Sequence, residues 1–167
     1  MNQIVIRAIA GEDAEGFHSC LDAVARERKF LGFVEAPPLE ETRQWLLEGM
    51  EKGELRFIAV DGPQVVGWCD IEIRGQEGFT HSGRLGMGVV RPYRGKGIGT
   101  ALVGRALEEA RDRRLERVEL EVYGSNPVAV GLYERFGFQV EGRKRRARKI
   151  DARYDDIVVM ALILDDL

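Results

Sequence analysis

Residues 89–102 read VVRPYRGKGIGTAL, with Arg91, Arg94 and Lys96 interleaved among Gly95, Gly97 and Gly99 between an apolar run and a helical pattern. That combination suits an anion. The first N–H groups of a helix have no partner inside it and point at the approaching chain, and the helix dipole adds partial positive charge. Glycines let phosphate oxygens reach the backbone without a Cβ in the way. Arg94 and Lys96 add side-chain charge. A plain strand-to-helix turn would not carry three glycines at a helix start, since each weakens it. Two pairs of carboxylates, Asp70 with Glu72 and Glu119 with Glu121, and the imidazole of His81 are the other groups suited to proton transfer.

The spacing narrows the anion. A Walker loop requires Gly at position 90 and Ser or Thr after Lys96; Val90 and Gly97 stand there. A dinucleotide fingerprint starting at Gly95 requires a third small residue where Thr100 lies. Its turn also normally follows the first strand of the fold, whereas at least three strands precede this one.

The elements that position these groups follow from periodicity and punctuation. Residues 3–9 alternate as a strand, and 11–30 read as a helix with Phe17, Leu21 and Val24 on one stripe. A loop leads to a second helix ending at Gly53, then to two strands around Asp61-Gly62-Pro63. Residues 83–90 form the strand before the glycine loop, and the following helix runs to about Arg113. Residues 116–123 are a strand. Asn126 reads as an N-cap with Pro127 as the first helical residue, and that helix ends near Phe136. The remainder reads as a closing hairpin. The result is one domain over 1–167, of α/β (α+β) class with a mixed sheet, and a parallel crossover over 85–122.

Hydrophobic residues make up 44% and charged residues 32% of the 167, and the net charge is -3, which gives no general attraction to nucleic acid. No apolar run is long enough to span a bilayer and no signal peptide is legible, so a cytoplasmic protein is expected. Cys20 and Cys69 belong to no CxxC pair and read as reduced, structural thiols; no metal is expected.

RGKGIG at 94–99 fits the Q/R-x-x-G-x-G/A signature, and the chain resembles the GNAT family of N-acetyltransferases. The likeness extends through LGMGVVRPYRGKGIGTAL and VELEVYGSNPVAVGLYERFGFQVEG to the closing hairpin, about 85–164. The resemblance implies a central sheet of about seven strands flanked by about four helices and splayed at its two middle strands. It implies acetyl-CoA as co-substrate. Backbone groups of Met87, Gly88, Val89 and Val90 would meet the pantetheine arm. The N–H groups of Arg94, Gly95, Lys96, Gly97, Ile98, Gly99 and Thr100 would cradle the pyrophosphate. Asn126 would hydrogen-bond the arm, with Ala129 on the face of Tyr133, and Tyr133 would lie near the sulfur. A homodimer is implied as well.

Acetyl transfer sets three tasks: a donor for the acyl oxygen, a proton for the leaving thiolate and a base for the amine. Backbone N–H groups near Met87–Val89 suit the first. Tyr133, with an ordinary phenol pKa of about 10 against about 8.5 for a thiol, suits the second as general acid. For the third, the strand before the loop carries no acid. His81 (base or acceptor contact) and Glu121 (base) are the candidates put forward, while Asp70/Glu72 and Glu119/Glu121 also read as solvated strand faces. The acceptor is expected to be a primary amine of a small molecule: an amine, an amino acid or an amino-acid-like antibiotic. The alternatives are a protein N-terminus, as for ribosomal proteins, or a non-catalytic acyl-CoA-binding module. The basic run 143–149 reads as an exposed strand guarding its own edge, with contact to an acidic acceptor, to the cofactor's 3′-phosphate or to RNA as the alternatives.

Overall fold

The structure, a computed structural model, describes residues 3–164. Seven strands and four α-helices are present among them: β1 Ile4–Ala8, α1 Ala14–Ala25, α2 Leu39–Glu51, β2 Leu55–Asp61, β3 Gln64–Ile73, β4 Ser82–Val89, α3 Ile98–Asp112, β5 Arg117–Tyr123, α4 Pro127–Arg135, β6 Gln139–Ile150 and β7 Arg153–Ile163. The strands form one sheet in the order β1-β2-β3-β4-β5-β7-β6. Every neighbouring pair is antiparallel except β4 and β5, which are parallel. The expected mixed α/β sheet is therefore present.

The parallel pair is short. It holds only from Ser82–Arg117 to Arg84–Glu119. Beyond that point β4 stays with β3 as far as Val89, and β5 stays with β7 as far as Tyr123. The middle of the sheet is thus split over residues 85–89 and 120–123, the splay that the family resemblance implies.

Helices cover both faces. On one, α3 buries Leu102, Val103, Ala106, Leu107 and Ala110 against β2 and β3. Truncating a fully buried leucine such as Leu107 to alanine costs about 2–5 kcal/mol. On the other face lie α1 and α2, where Phe17 stacks on Trp45 at 5.5 Å and meets Trp68 edge-on at 5.9 Å. Alternation along β3 sends Cys69 and Ile71 towards α3, and Trp68, Asp70 and Glu72 towards α1 and α2.

Helix α1 ends at Ala25, sooner than its periodicity predicts, and Arg28 adopts φ +60. Long-range anchors compete with the helix here: Glu27 binds Arg94 and Arg28 binds Asp151 in the β6–β7 turn. His18 Nε2 lies 2.8 Å from the carbonyl of Pro37 and ties α1 to the same connection. Both cysteines are free and buried, and burial pushes the Cys20 thiol up to about 12. Among the described residues no helix is long and apolar enough to cross a membrane.

Candidate active site

The glycine loop leaves β4 through a 3-10 turn at Arg91–Tyr93 and enters α3 through Gly97. Gly95 and Gly97 adopt φ +72 and +80, and a Cβ at either would meet no atom within 4 Å. Glycine is needed there for backbone conformation, which costs other residues about 1–2 kcal/mol. The consequence is a concave run of donors. Among the described residues the N–H groups of Gly95, Lys96, Gly97, Ile98, Gly99 and Thr100 have no hydrogen-bond partner; the next, Ala101, begins the helical ladder by donating to Gly97 at 3.0 Å. Gly99 differs from the other two, because it sits inside the helix under Met87, whose Cε is 3.3 Å from where its Cβ would stand.

Arg94 does not match its expected role. Its N–H donates to the Arg91 carbonyl, so the unpartnered donors begin at Gly95. Its side chain turns inward: Nε donates to the Val89 carbonyl at 2.7 Å, the two terminal nitrogens grip both oxygens of Glu27 at 2.9 and 2.5 Å, and the guanidinium lies 4.6 Å over Phe30. Glu27 neutralises the charge expected to meet phosphate, so Arg94 fastens the loop to α1. Lys96 is exposed and rests 5.4 Å from the Tyr93 ring; with Arg91, also exposed and in no ion pair among the described residues, it leaves the loop two free cations.

At the split, β4 presents a bare edge. Val90 N–H donates to Val66 at 3.0 Å, so alternation turns Gly88 towards β3 and the N–H groups of Met87 and Val89 towards the gap. Gly88 is covered by the Trp68 ring, into which a Cβ would project. One backbone edge thus faces the opening while the adjacent tryptophan closes the sheet behind it.

Helix α4 lies on the α3 side of this gap. Asn126 caps it, its Oδ1 accepting from Ala129 N–H at 3.2 Å, and its amide NH₂ has no partner among the described residues. Tyr133, one turn beyond Ala129, is 6% exposed and packs on Phe138 at 5.7 Å. Burial, with a smaller contribution from nearby Cys69, raises its phenol well above the ordinary value and keeps it protonated. No described residue bonds its hydroxyl, and that oxygen is not sealed from solvent, since the single sealed and unpartnered side-chain oxygen among the described residues is Thr42 Oγ1.

The acid-base candidates separate clearly. His81 is exposed at the closed end of β4, where its carbonyl receives the N–H of Glu116 at 2.9 Å. Five residue steps along the chain, about 16 Å, separate it from Gly86 at the split. The structure does not bring it to the gap. Glu121 does border the gap, but both oxygens are engaged: Arg84 donates at 3.1 Å and Lys144 pairs with the other oxygen. Glu119 is similarly held by Arg74 and Arg117. Asp70 departs from the expected solvated face. It is partly buried opposite Gly86, and burial pushes its carboxyl up to about 7. The sequence signal for this was the pair of glycines at 86 and 88, which leave that face of β4 without side chains. Among the described residues no cluster of three or more His, Cys, Asp or Glu side chains is placed to hold a metal.

The basic run lies on β6, one of the sheet's two edge strands. Arg143 pairs with Asp156 at 2.9 Å, Arg146 stacks 3.8 Å over Tyr154, and Arg148 donates to the carbonyls of Arg28 and Leu31 at 3.0 Å. Much of its charge is spent within the molecule.

The sequence profile described as "Acetyltransferase (GNAT) family" matches residues 13–138. The chain belongs to this family. Members of the GNAT family are acetyltransferases that use acetyl-CoA. Over 165 residues the chain is 28% identical to an uncharacterized prophage-derived N-acetyltransferase of Bacillus subtilis, covering 98% of this chain and 91% of that protein. It is 25% identical to an L-amino acid N-acetyltransferase of Escherichia coli, covering 98% and 99%. The crystal structure of a ribosomal-protein-alanine N-acetyltransferase from Brucella melitensis superposes with a TM-score of 0.89 at 27% identity, over 96% of this chain and 99% of that one.

Proposed function

We propose that the protein transfers the acetyl group of acetyl-CoA to the primary amine of a small acceptor, an amino acid or amino-acid-like molecule. The observation that carries this is the continuous run of unpartnered N–H groups from Gly95 to Thr100, at the end of a strand whose edge faces a split in the sheet. A pyrophosphate fits the loop and a pantetheine arm fits the bare edge of β4 as an added strand. Acetyl-CoA supplies the activated acetyl group as a thioester.

The chain's own groups divide the work. Met87 N–H, turned into the gap, donates to the acyl oxygen as negative charge develops on it. The Asn126 amide NH₂ donates to the arm. Tyr133, held protonated by burial, donates a hydrogen bond to the departing sulfur; its raised pKa makes it a weaker acid than a free phenol, so the proton moves to sulfur only as a relay re-supplies the phenol. The acceptor lies on the α1/α2 side. Glu72 and Arg84, paired across β3 and β4 one step from the split, offer it opposite charges, which suits a zwitterion; the depression of about 330 Å³ that they help to line extends away from the split towards Gln76. The full-length likeness to an L-amino acid N-acetyltransferase points the same way.

A second reading, acetylation of a protein N-terminus, draws on the likeness to the Brucella enzyme. A screen of CoA release over amino acids, polyamines, aminoglycosides and short peptides separates the two. Release with free amino acids supports the proposal, and release with peptides alone moves the acceptor to a protein. Tight acetyl-CoA binding with no acceptor-dependent release would leave a non-catalytic acyl-CoA-binding protein.

A further inference from the structure

We infer that Asp70 is the base that removes the proton from the acceptor ammonium, an inference that rests on the acetyl-transfer reading above. Three features of its position carry it. Asp70 stands in register with Gly86, two residues past Arg84, the last β4 residue paired with β5. Its carboxylate therefore lies where the sheet opens, on the face away from Tyr133 and α3. The bare backbone of Gly86 lies beneath it: the Asp70 oxygens are 3.5 and 3.8 Å from where a Cβ would be. No side chain of β4 at this position separates the carboxylate from the gap.

The carboxylate is also free. No described residue gives it a hydrogen bond or an ion pair, and neither oxygen is sealed from solvent. Its nearest cations are directed elsewhere. Arg56, its partner across β2, is buried with Glu54, donates to the Trp45 carbonyl at 2.6 Å and lies 3.3 Å from the Trp45 ring. Arg84 is turned to Glu121. A structural carboxylate in a partly buried site is normally tied down by donors, because leaving it unpaired is costly. Glu119 and Glu121 are tied in that way; Asp70 is not.

The charged groups acting on Asp70 are Arg56 and Glu54 at β2, Glu72 on its own strand and Arg84 on β4; none comes from α1 or α2. Burial dominates them and pushes the carboxyl up to about 7, where a general base works efficiently at neutral pH. An amine of ordinary basicity arrives as R–NH₃⁺. Asp70 takes one proton and becomes the neutral acid. The amine lone pair forms the C–N bond, the C–S bond breaks, and the sulfur takes the Tyr133 proton. The nitrogen's second proton restores Tyr133 through water, and Asp70 releases its own to solvent. The sum is R–NH₃⁺ plus acetyl-CoA giving the acetamide, CoA–SH and one H⁺.

The test uses the full chain, Asp70→Asn and Asp70→Glu, with CoA release measured from pH 5.5 to 9.5 on the amino acid that the wild type acetylates fastest, and acetyl-CoA binding measured by calorimetry. Wild-type kcat/KM should rise with unit slope to a break near pH 7. Asp70→Asn should lose about 100-fold or more at pH 7. Its profile should break only at the amine's own pKa, and acetyl-CoA affinity should stay within twofold. Asp70→Glu should recover part of the rate and restore an acidic limb. An Asp70→Asn enzyme with wild-type rate and break would overturn the assignment and leave the transferase intact. A wild type that binds acetyl-CoA but acetylates no amine would overturn both.

Discussion

The Arg94–Glu27 pair offers a test whose sign separates two accounts of the glycine loop. If Arg94 were a phosphate ligand, Glu27 would be its competitor, and Glu27→Gln would release the guanidinium and tighten acetyl-CoA binding. If Arg94 is the loop's anchor, as the contacts indicate, the same substitution loosens the loop and weakens binding. The side chains are 32% and 22% exposed and joined by two bonds. The pair therefore lies above the range of exposed ion pairs and below that of sealed ones, at about 1–2 kcal/mol. For a chain of this size that is about 3–6 °C in melting temperature. Glu27→Gln should cost this much. Arg94→Gln should cost more, since it also loses the Val89 carbonyl and Phe30, and the double variant should match Arg94→Gln, a coupling of about 1–2 kcal/mol. Thermal melts and acetyl-CoA calorimetry on the four proteins suffice, with Kd rising a few-fold in each variant. Tighter binding in Glu27→Gln, or additive losses in the double variant, would refute the anchor.

Gly97→Ala should lower stability by only about 1–2 kcal/mol, because the new Cβ meets open space and the cost is φ alone. It should nevertheless raise the acetyl-CoA Kd at least tenfold, and an unchanged Kd by calorimetry would count against the cradle. Tyr133→Phe should leave stability within about 1 kcal/mol, since no described residue bonds the hydroxyl, and lower kcat by about 100-fold or more. Unchanged turnover with intact acetyl-CoA binding would remove Tyr133 from the chemistry. Asp70 gives an unusual stability profile. Its folded carboxyl is raised from 3.8 to about 7, so between those values the native state holds a proton that the unfolded chain has lost, and stability falls as pH rises through the window. The full effect is up to about 4 kcal/mol. In urea unfolding, the stability of Asp70→Asn relative to wild type should therefore grow by up to about 4 kcal/mol from pH 4 to pH 8; parallel profiles would contradict the buried, unpaired carboxyl.

The glycine loop, the α4 cap and the element order are legible in the sequence because each is local. Asn126 before Pro127 carries its meaning within three residues, and RGKGIG within six. The split in the sheet could be expected only from resemblance, since it depends on where β4 and β5 stop pairing. The roles of Arg94 and Asp70 were hidden for the same reason. Glu27 is 67 residues from Arg94, and nothing in the loop announces that its arginine is already occupied. Strand alternation placed Asp70 on the face of Trp68, but it could not show that α1 and α2 bury that face. Nor could it show that Arg56, directly across, spends its charge on Glu54 and the ring of Trp45. His81 illustrates the converse: its chemistry suited a base, and its place at the closed end of β4 keeps it from the gap.

The most direct test of the cofactor site is an amide NMR titration of the ¹⁵N-labelled protein with acetyl-CoA. The largest shifts should fall on the N–H groups of Gly95, Lys96, Gly97, Ile98, Gly99 and Thr100, with a second group at Met87 and Val89. Shifts concentrated on the basic β6 strand at 143–149, with the glycine loop unmoved, would contradict it.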